Sequence, residues 1–272
     1  MGKAIVITSG KGGVGKTTTT ANLGTALALM GKKVCLVDLD IGLRNLDVIL
    51  GLDNRILYDI VDVVAGRAQI RQALVKDKRF DDLLFLLPAA QNADKDALNP
   101  DQVRAIVDEL KPDFDYVLLD CPAGIEQGFM NAIAGADAAI IVSTPEISAI
   151  RDADRVVGLL EQYPLAEAPK LVINRIRTRM MQDGETMDID EITHHLSIDL
   201  LGIVFDDDAV IRTSNNGEPI VLDPKNPASQ GYRNIARRIE GETVPLMNLD
   251  TPKPGVWSRI AGIFSSWQVK KA

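Results

Sequence analysis

Cysteine is scarce: Cys35 and Cys121 are the only two in 272 residues. They lack CxxC spacing, which argues against a disulfide framework, a zinc ribbon or a paired-cysteine cluster within one chain and fits a reducing compartment. Histidine is equally rare. With only His194 and His195, both expected on a helix surface, no imidazole lies near Cys121 in sequence, so this thiol reads as a small buried side chain rather than a nucleophile. Aromatics make up only 4% of the chain. No apolar run approaches the ~18 residues of a membrane span. The start, "MGKAIVITSG", lacks the basic segment and apolar core of a signal peptide, and Val6 stands where a myristoylation signal needs Ser or Thr. Any membrane contact is therefore expected to be peripheral. Positive charge is also short, with 30 bases against 38 acids and a net charge of -8, so no specific nucleic-acid binding is expected.

What the chain does have is apolar runs. "KAIVIT", "KKVCLVD", "DLLFLLP", "DYVLLDCP", "AAIIVSTPE", "KLVINRI" and "LLGIVFD" read as buried strands. Their lack of alternation suits a parallel sheet covered on both faces. Helical patterns lie between them: residues 16–30, then "NPDQVRAIVDELK" with Asn99 as cap and Pro100 in the first turn, then a stretch from about Ile147. The alternation predicts an α/β fold, a doubly wound, mostly parallel sheet with helices on both faces. One domain over residues 1–249 is expected, then a linker at 250–255, "DTPKPG", and a terminal helix at 256–272.

Ligands of such sheets sit beyond the carboxyl ends of the strands. After the first run comes Gly10-Lys11-Gly12-Gly13-Val14-Gly15-Lys16-Thr17, which satisfies GxxxxGK[ST] between a strand and a helix. In that setting Gly12, Gly13, Val14, Gly15 and Thr18 would present backbone N–H groups to phosphates. Lys16 would neutralise the outer phosphates, and the Thr17 hydroxyl would ligate Mg²⁺. Asp38 and Asp40 end the second run and Asp120 another; carboxylates beside a triphosphate point to Mg²⁺, with Asp120 in the usual place for holding it through a water. Asn174 and Arg175 are expected at a further strand end, where Asn174 either contacts a base or caps a turn. ATP is favoured over GTP because an Asn-Lys-x-Asp motif is missing. On spacing alone, Lys11 reads as a solvated loop lysine, and Asp152 as a helix charge paired with Arg151 or Arg155.

"GKGGVGKTT" resembles the deviant Walker A motif of the MinD/ParA family of ATPases, and "DIGLRNLD", "DCPAGIE" and "SNNGEPIVLD" extend the likeness. The resemblance implies an ATP-bound homodimer in which Lys11 reaches the phosphates held by the partner subunit. It further implies that Asp40 aligns the attacking water, Asn45 lies near the dimer seam, Asn174 reads the adenine edge and Asp152 sits on a partner surface. Phe205 departs from the pattern, since it stands where the family often has proline beside the base.

The terminal segment "VWSRIAGIFSSWQVKKA", wound at about 100° per residue, gathers Val256, Trp257, Ile260, Ile263, Phe264 and Trp267 on one side. It is too short to span a bilayer and suited to lie in one carrying anionic lipids. Within the family these features imply a septum-positioning ATPase of the cytoplasm and the inner face of the plasma membrane. A MinC-like division inhibitor and a MinE-like or other topology factor would be its partners. A flagellar-number regulator and a DNA-partitioning ATPase of the same family are the alternatives.

Overall fold

The computed structural model describes residues 2–94 and 96–247. The linker at 250–255 and the apolar face of Val256, Trp257, Ile260, Ile263, Phe264 and Trp267 lie outside these residues. The first half of the chain runs β1 Lys3–Thr8, α1 Lys16–Leu29, β2 Val34–Asp38, α2 Leu46–Leu50, α3 Ile60–Val64, α4 Ile70–Ala73, β3 Val75–Lys76 and β4 Leu84–Leu87. There follow α5 Pro100–Leu110, β5 Tyr116–Asp120, α6 Gln127–Ala134, β6 Ala138–Ser143, α7 Ile147–Leu160 and β7 Lys170–Ile176. The described part ends with α8 Thr178–Gln182, α9 Ile189–Leu196, β8 Asp199–Phe205, α10 Asp208–Asn215 and α11 Pro227–Ile239.

The eight strands form one sheet in the order β3-β4-β2-β5-β1-β6-β7-β8, parallel except for β3 against β4. Residues alternate between its faces because successive side chains of a strand point opposite ways. Along β1, Ala4 and Val6 join a core layer with α5, α6, α7 and α9, while Ile5 and Ile7 join the layer under α1 and α11. Both layers are buried, which explains why the strands read as unbroken apolar runs. From β1 the chain steps to β2 and on to β3 and β4 at one edge, returns to β5 beside β1, and then crosses to β6, β7 and β8 on the other side. That reversal opens a crevice at the carboxyl end of β1.

Local signals set the helix ends. Asn99 Oδ1 accepts from Gln102 N (3.0 Å) and Gln102 Oε1 accepts in return from Asn99 N (3.0 Å), a capping box ahead of α5 with Pro100 in its first turn. His194 and His195 are exposed on α9, and Cys121 is fully buried with its thiol pushed up to about 12 by burial. Both sheet edges are blunted. The β3 edge is two residues long and carries exposed Lys76, while Arg238 of α11 donates to the Leu201 carbonyl of β8 (2.9 Å) and to Val244 O and Pro245 O.

Candidate nucleotide site

The glycine loop joins β1 to α1 at the crevice. Gly13 and Gly15 hold φ of 80° and 97°, left-handed positions that turn neighbouring N–H groups into one concavity beside the helix N-terminus. Gly10 is required for another reason: a Cβ there would fall 2.0 Å from the Asp152 carbonyl, so the loop rests directly on the α7 backbone. Val14 and Lys16 are buried, whereas Lys11, Gly12 and Gly13 face outward. Lys11 Nζ donates to Ser148 Oγ in the first turn of α7 (2.9 Å), so within one chain this lysine is held against α7.

Beneath the loop, β2 and β5 are neighbours in a register that sets Asp38 opposite Asp120. Both carboxylates are buried. Burial, then the charge of Asp120, pushes Asp38 well above the usual carboxylate range, while the N–H groups of Asp40 (3.0 Å) and Leu46 (3.4 Å) donate to it and pull the other way. Burial likewise raises Asp120 to about 6, opposed by the nearby Thr17 and Thr20 hydroxyls and by the charge of Lys16. Thr20 Oγ1 donates to Asp120 Oδ1 (2.9 Å), and the buried Oδ2 has no hydrogen-bond partner.

Two crowded carboxylates, an unused buried oxygen and the Thr17 hydroxyl make a hard-oxygen donor set that fits Mg²⁺. Among the described residues no three His, Cys, Asp or Glu side chains form a cation cage of their own. Asp40 is half-buried and lines a second hollow of about 210 Å³ with Leu39, Leu43, Pro122, Ala123 and Phe129.

A cavity of about 470 Å³ lies beside the loop. Gly15, Thr18, Asn45, Asn174, Arg175 and Phe205 are among its lining residues, so the residues expected at a base do converge. Their setting differs from the sequence reading in one respect. Asn174 and Arg175 do not end a strand; they lie inside β7, where its pairing with β8 slips between Ile173 and Ile176 and Arg175 takes φ of 55°. This irregularity turns the Asn174 amide to the loop, where Nδ2 donates to Val14 O (2.8 Å), and it caps no turn. Asn45 is the residue that opens α2, and Asp152 pairs with Arg155 at 3.6 Å.

Sequence reasoning missed Thr20, although it sits one turn beyond Lys16 and three residues beyond Thr17, a spacing that places it on the same helix face. It also missed Arg177, which pairs with Asp206 (2.6 Å), and the cavity wall formed by Val210, Ile211 and Ser214 of α10. No local pattern marks these residues, because the wall exists only once α10 packs on α2.

Residues 5–220 match the family model described as the CobQ/CobB/MinD/ParA nucleotide binding domain. The chain is 68% identical over 264 residues to the septum site-determining protein MinD of Bacillus subtilis (strain 168), covering 97% of this chain and 98% of that one. The MinC:MinD cell division protein complex of Aquifex aeolicus superposes at a TM-score of 0.84 with 50% identity, over 90% of this chain and 98% of that chain. The septum site-determining protein MinD of Pyrococcus horikoshii OT3, complexed with Mg-ADP, does so at 0.80 with 30% identity, over 88% and 96%. A glycine loop with lysines on both sides, set above paired strand-end carboxylates, thus has its place in a known lineage: the chain belongs to the MinD/ParA family of P-loop ATPases, close to its septum site-determining members.

Proposed function

We propose that this chain is an ATP-dependent, dimerising ATPase of septum-site selection that recruits a MinC-like division inhibitor to the membrane and leaves it on hydrolysis. The observation that carries the reading is the unpartnered Oδ2 of Asp120 beside Asp38, under a loop whose Lys16 is buried at the same strand ends. ATP would place its phosphates on the N–H groups of Gly12, Gly13, Val14, Gly15, Lys16, Thr17 and Thr18, and its base in the cavity lined by Asn174, Arg175 and Phe205. Mg²⁺, when bound, neutralises charge on the outer phosphates, and Thr17, Asp38 and Asp120 would hold it there. Lys16 would bind its own triphosphate, and Asp40 would orient the attacking water. Lys11, released from Ser148, would reach the partner subunit's nucleotide and offset charge that grows in the transition state.

Exposed apolar side chains on the segments around the loop, Leu43, Ile125 and Ile147, support pairing through this face, with Asn45 near the seam. Asp152, on α7 beside the loop, would belong to the surface that receives the inhibitor or a MinE-like or other topology factor. No helix among the described residues is long and apolar enough to cross a membrane. Attachment to anionic lipid on the inner face of the plasma membrane would rest on residues 256–272, two copies of which add avidity in the dimer. The test is light scattering and sedimentation with anionic vesicles, using the full chain with a nonhydrolysable ATP analogue or with ADP. Doubling of mass and pelleting with the triphosphate alone is the expected result, and single chains that stay in the supernatant with both nucleotides would end the reading.

A further inference from the structure

The two helices that wall the base-side cavity end at one guanidinium. Arg79 Nη2 donates to the carbonyl of Leu50, the last residue of α2 (2.6 Å), and Nη1 donates to the carbonyl of Gly217, two residues past the end of α10 (2.9 Å). The rest of the fork grips Asp77, through Nε to both oxygens (3.0 and 3.1 Å) and Nη2 to Oδ2 (2.6 Å). Asp77 is 1% exposed and also accepts from Arg79 N (3.0 Å), so the guanidinium has little freedom to swing.

The carbonyls at helix C-termini lack partners within the helix and carry the negative end of its dipole. One planar cation therefore satisfies the last carbonyl of α2 together with the carbonyl of the turn that follows α10, a task suited to a rigid fork rather than to a point charge. The backbones meet at the same place. Gly51 and Gly217 both take left-handed φ, 65° and 70°, and a Cβ on Gly217 would lie 2.5 Å from Gly51 Cα.

Each end of this joint leads to the site. α10 supplies Val210, Ile211 and Ser214 to the cavity, while α2 supplies Val48 and Ile49 and opens with Asn45, also on its wall. The N–H of Leu46 in turn donates to Asp38 Oδ2 (3.4 Å), so α2 is a strut from the strand-end carboxylates to the joint.

We propose that Arg79 is a positioning residue that locks α2 to α10 and so sets the base-side half of the nucleotide cavity. The proposal rests on the ATP-site reading above and extends it to a residue that touches neither phosphate nor metal. If Arg79 acts in this way, its loss removes what the base adds to affinity and spares what the loop alone binds. Titrations with Mg–ATP and with Mg and inorganic tripolyphosphate, on the full chain, separate the two.

Arg79→Lys, which keeps charge but cannot span three acceptors, and Arg79→Ala are expected to weaken ATP by about tenfold, the scale of a lost charge-assisted hydrogen bond, with tripolyphosphate unchanged. Gly217→Ala leaves Arg79 in place and forces the same joint apart, so it is expected to act alike even if an Arg79 variant fails to fold. An unaltered preference for ATP over tripolyphosphate in the folded variants would overturn the proposal. So would a parallel loss of both ligands, which marks general damage. A wild-type chain that binds neither ligand would instead remove the ATP-site reading and this proposal with it.

Discussion

Asp120 is buried against its own charge. Because burial raises its carboxyl to about 6, the folded chain holds that proton more tightly than the unfolded chain does. Without ligand, stability therefore falls as pH rises from the free-aspartate value of about 4 through about 6, and stays lower above that. Asp120→Asn is expected to remove this loss. Its thermal midpoint at pH 8 without nucleotide should exceed that of the unsubstituted chain by about 2–6 °C, the scale of one to two kcal/mol in a domain of this size. Mg²⁺-dependent ATP binding should disappear in the same variant. A midpoint at pH 8 equal to or below that of the original chain would show that the carboxylate carries no burial cost there.

At the scale of elements, the loop and α7 act as one piece because nothing larger than a hydrogen fits between Gly10 and the Asp152 carbonyl. Gly10→Ala is expected to lift the loop and weaken ATP by about tenfold or more, some 1.4 kcal/mol, with a shift in ³¹P resonances of bound nucleotide as the check. Retained affinity would mean that α7 yields instead. Much at this scale was legible in the sequence. The seven apolar runs all fall in parallel strands, since burial on both faces removes polar residues from them. The glycine loop was legible because its spacing is local, and the carboxylates because they stand where apolar runs stop. What stayed hidden depends on contacts between distant segments. β3 is two residues long and reversed against β4, the β7 slip turns Asn174 inward, and α10 becomes a cavity wall only by packing on α2.

At the scale of the whole molecule, the described residues form one sheet with the candidate site gathered at its strand carboxyl ends. In a single chain Lys11 is engaged with Ser148, so full activity is expected only from pairs. Lys11→Ala and Asp40→Ala chains, each nearly inactive alone on anionic vesicles, should recover on mixing to about a quarter of the original rate, since random pairing gives half mixed dimers with one working site each. A Lys11→Ala chain that hydrolyses ATP at the original stimulated rate would dispose of the shared-lysine scheme.

The blunted flanks of the sheet bear on how copies of this chain can meet. A two-residue outer strand with a lysine offers a poor template at one flank, and the Arg238 clasp on Leu201 obstructs the other. Fibre growth by strand addition is thereby discouraged, so contact between copies falls to side-chain surfaces rather than to open strand edges.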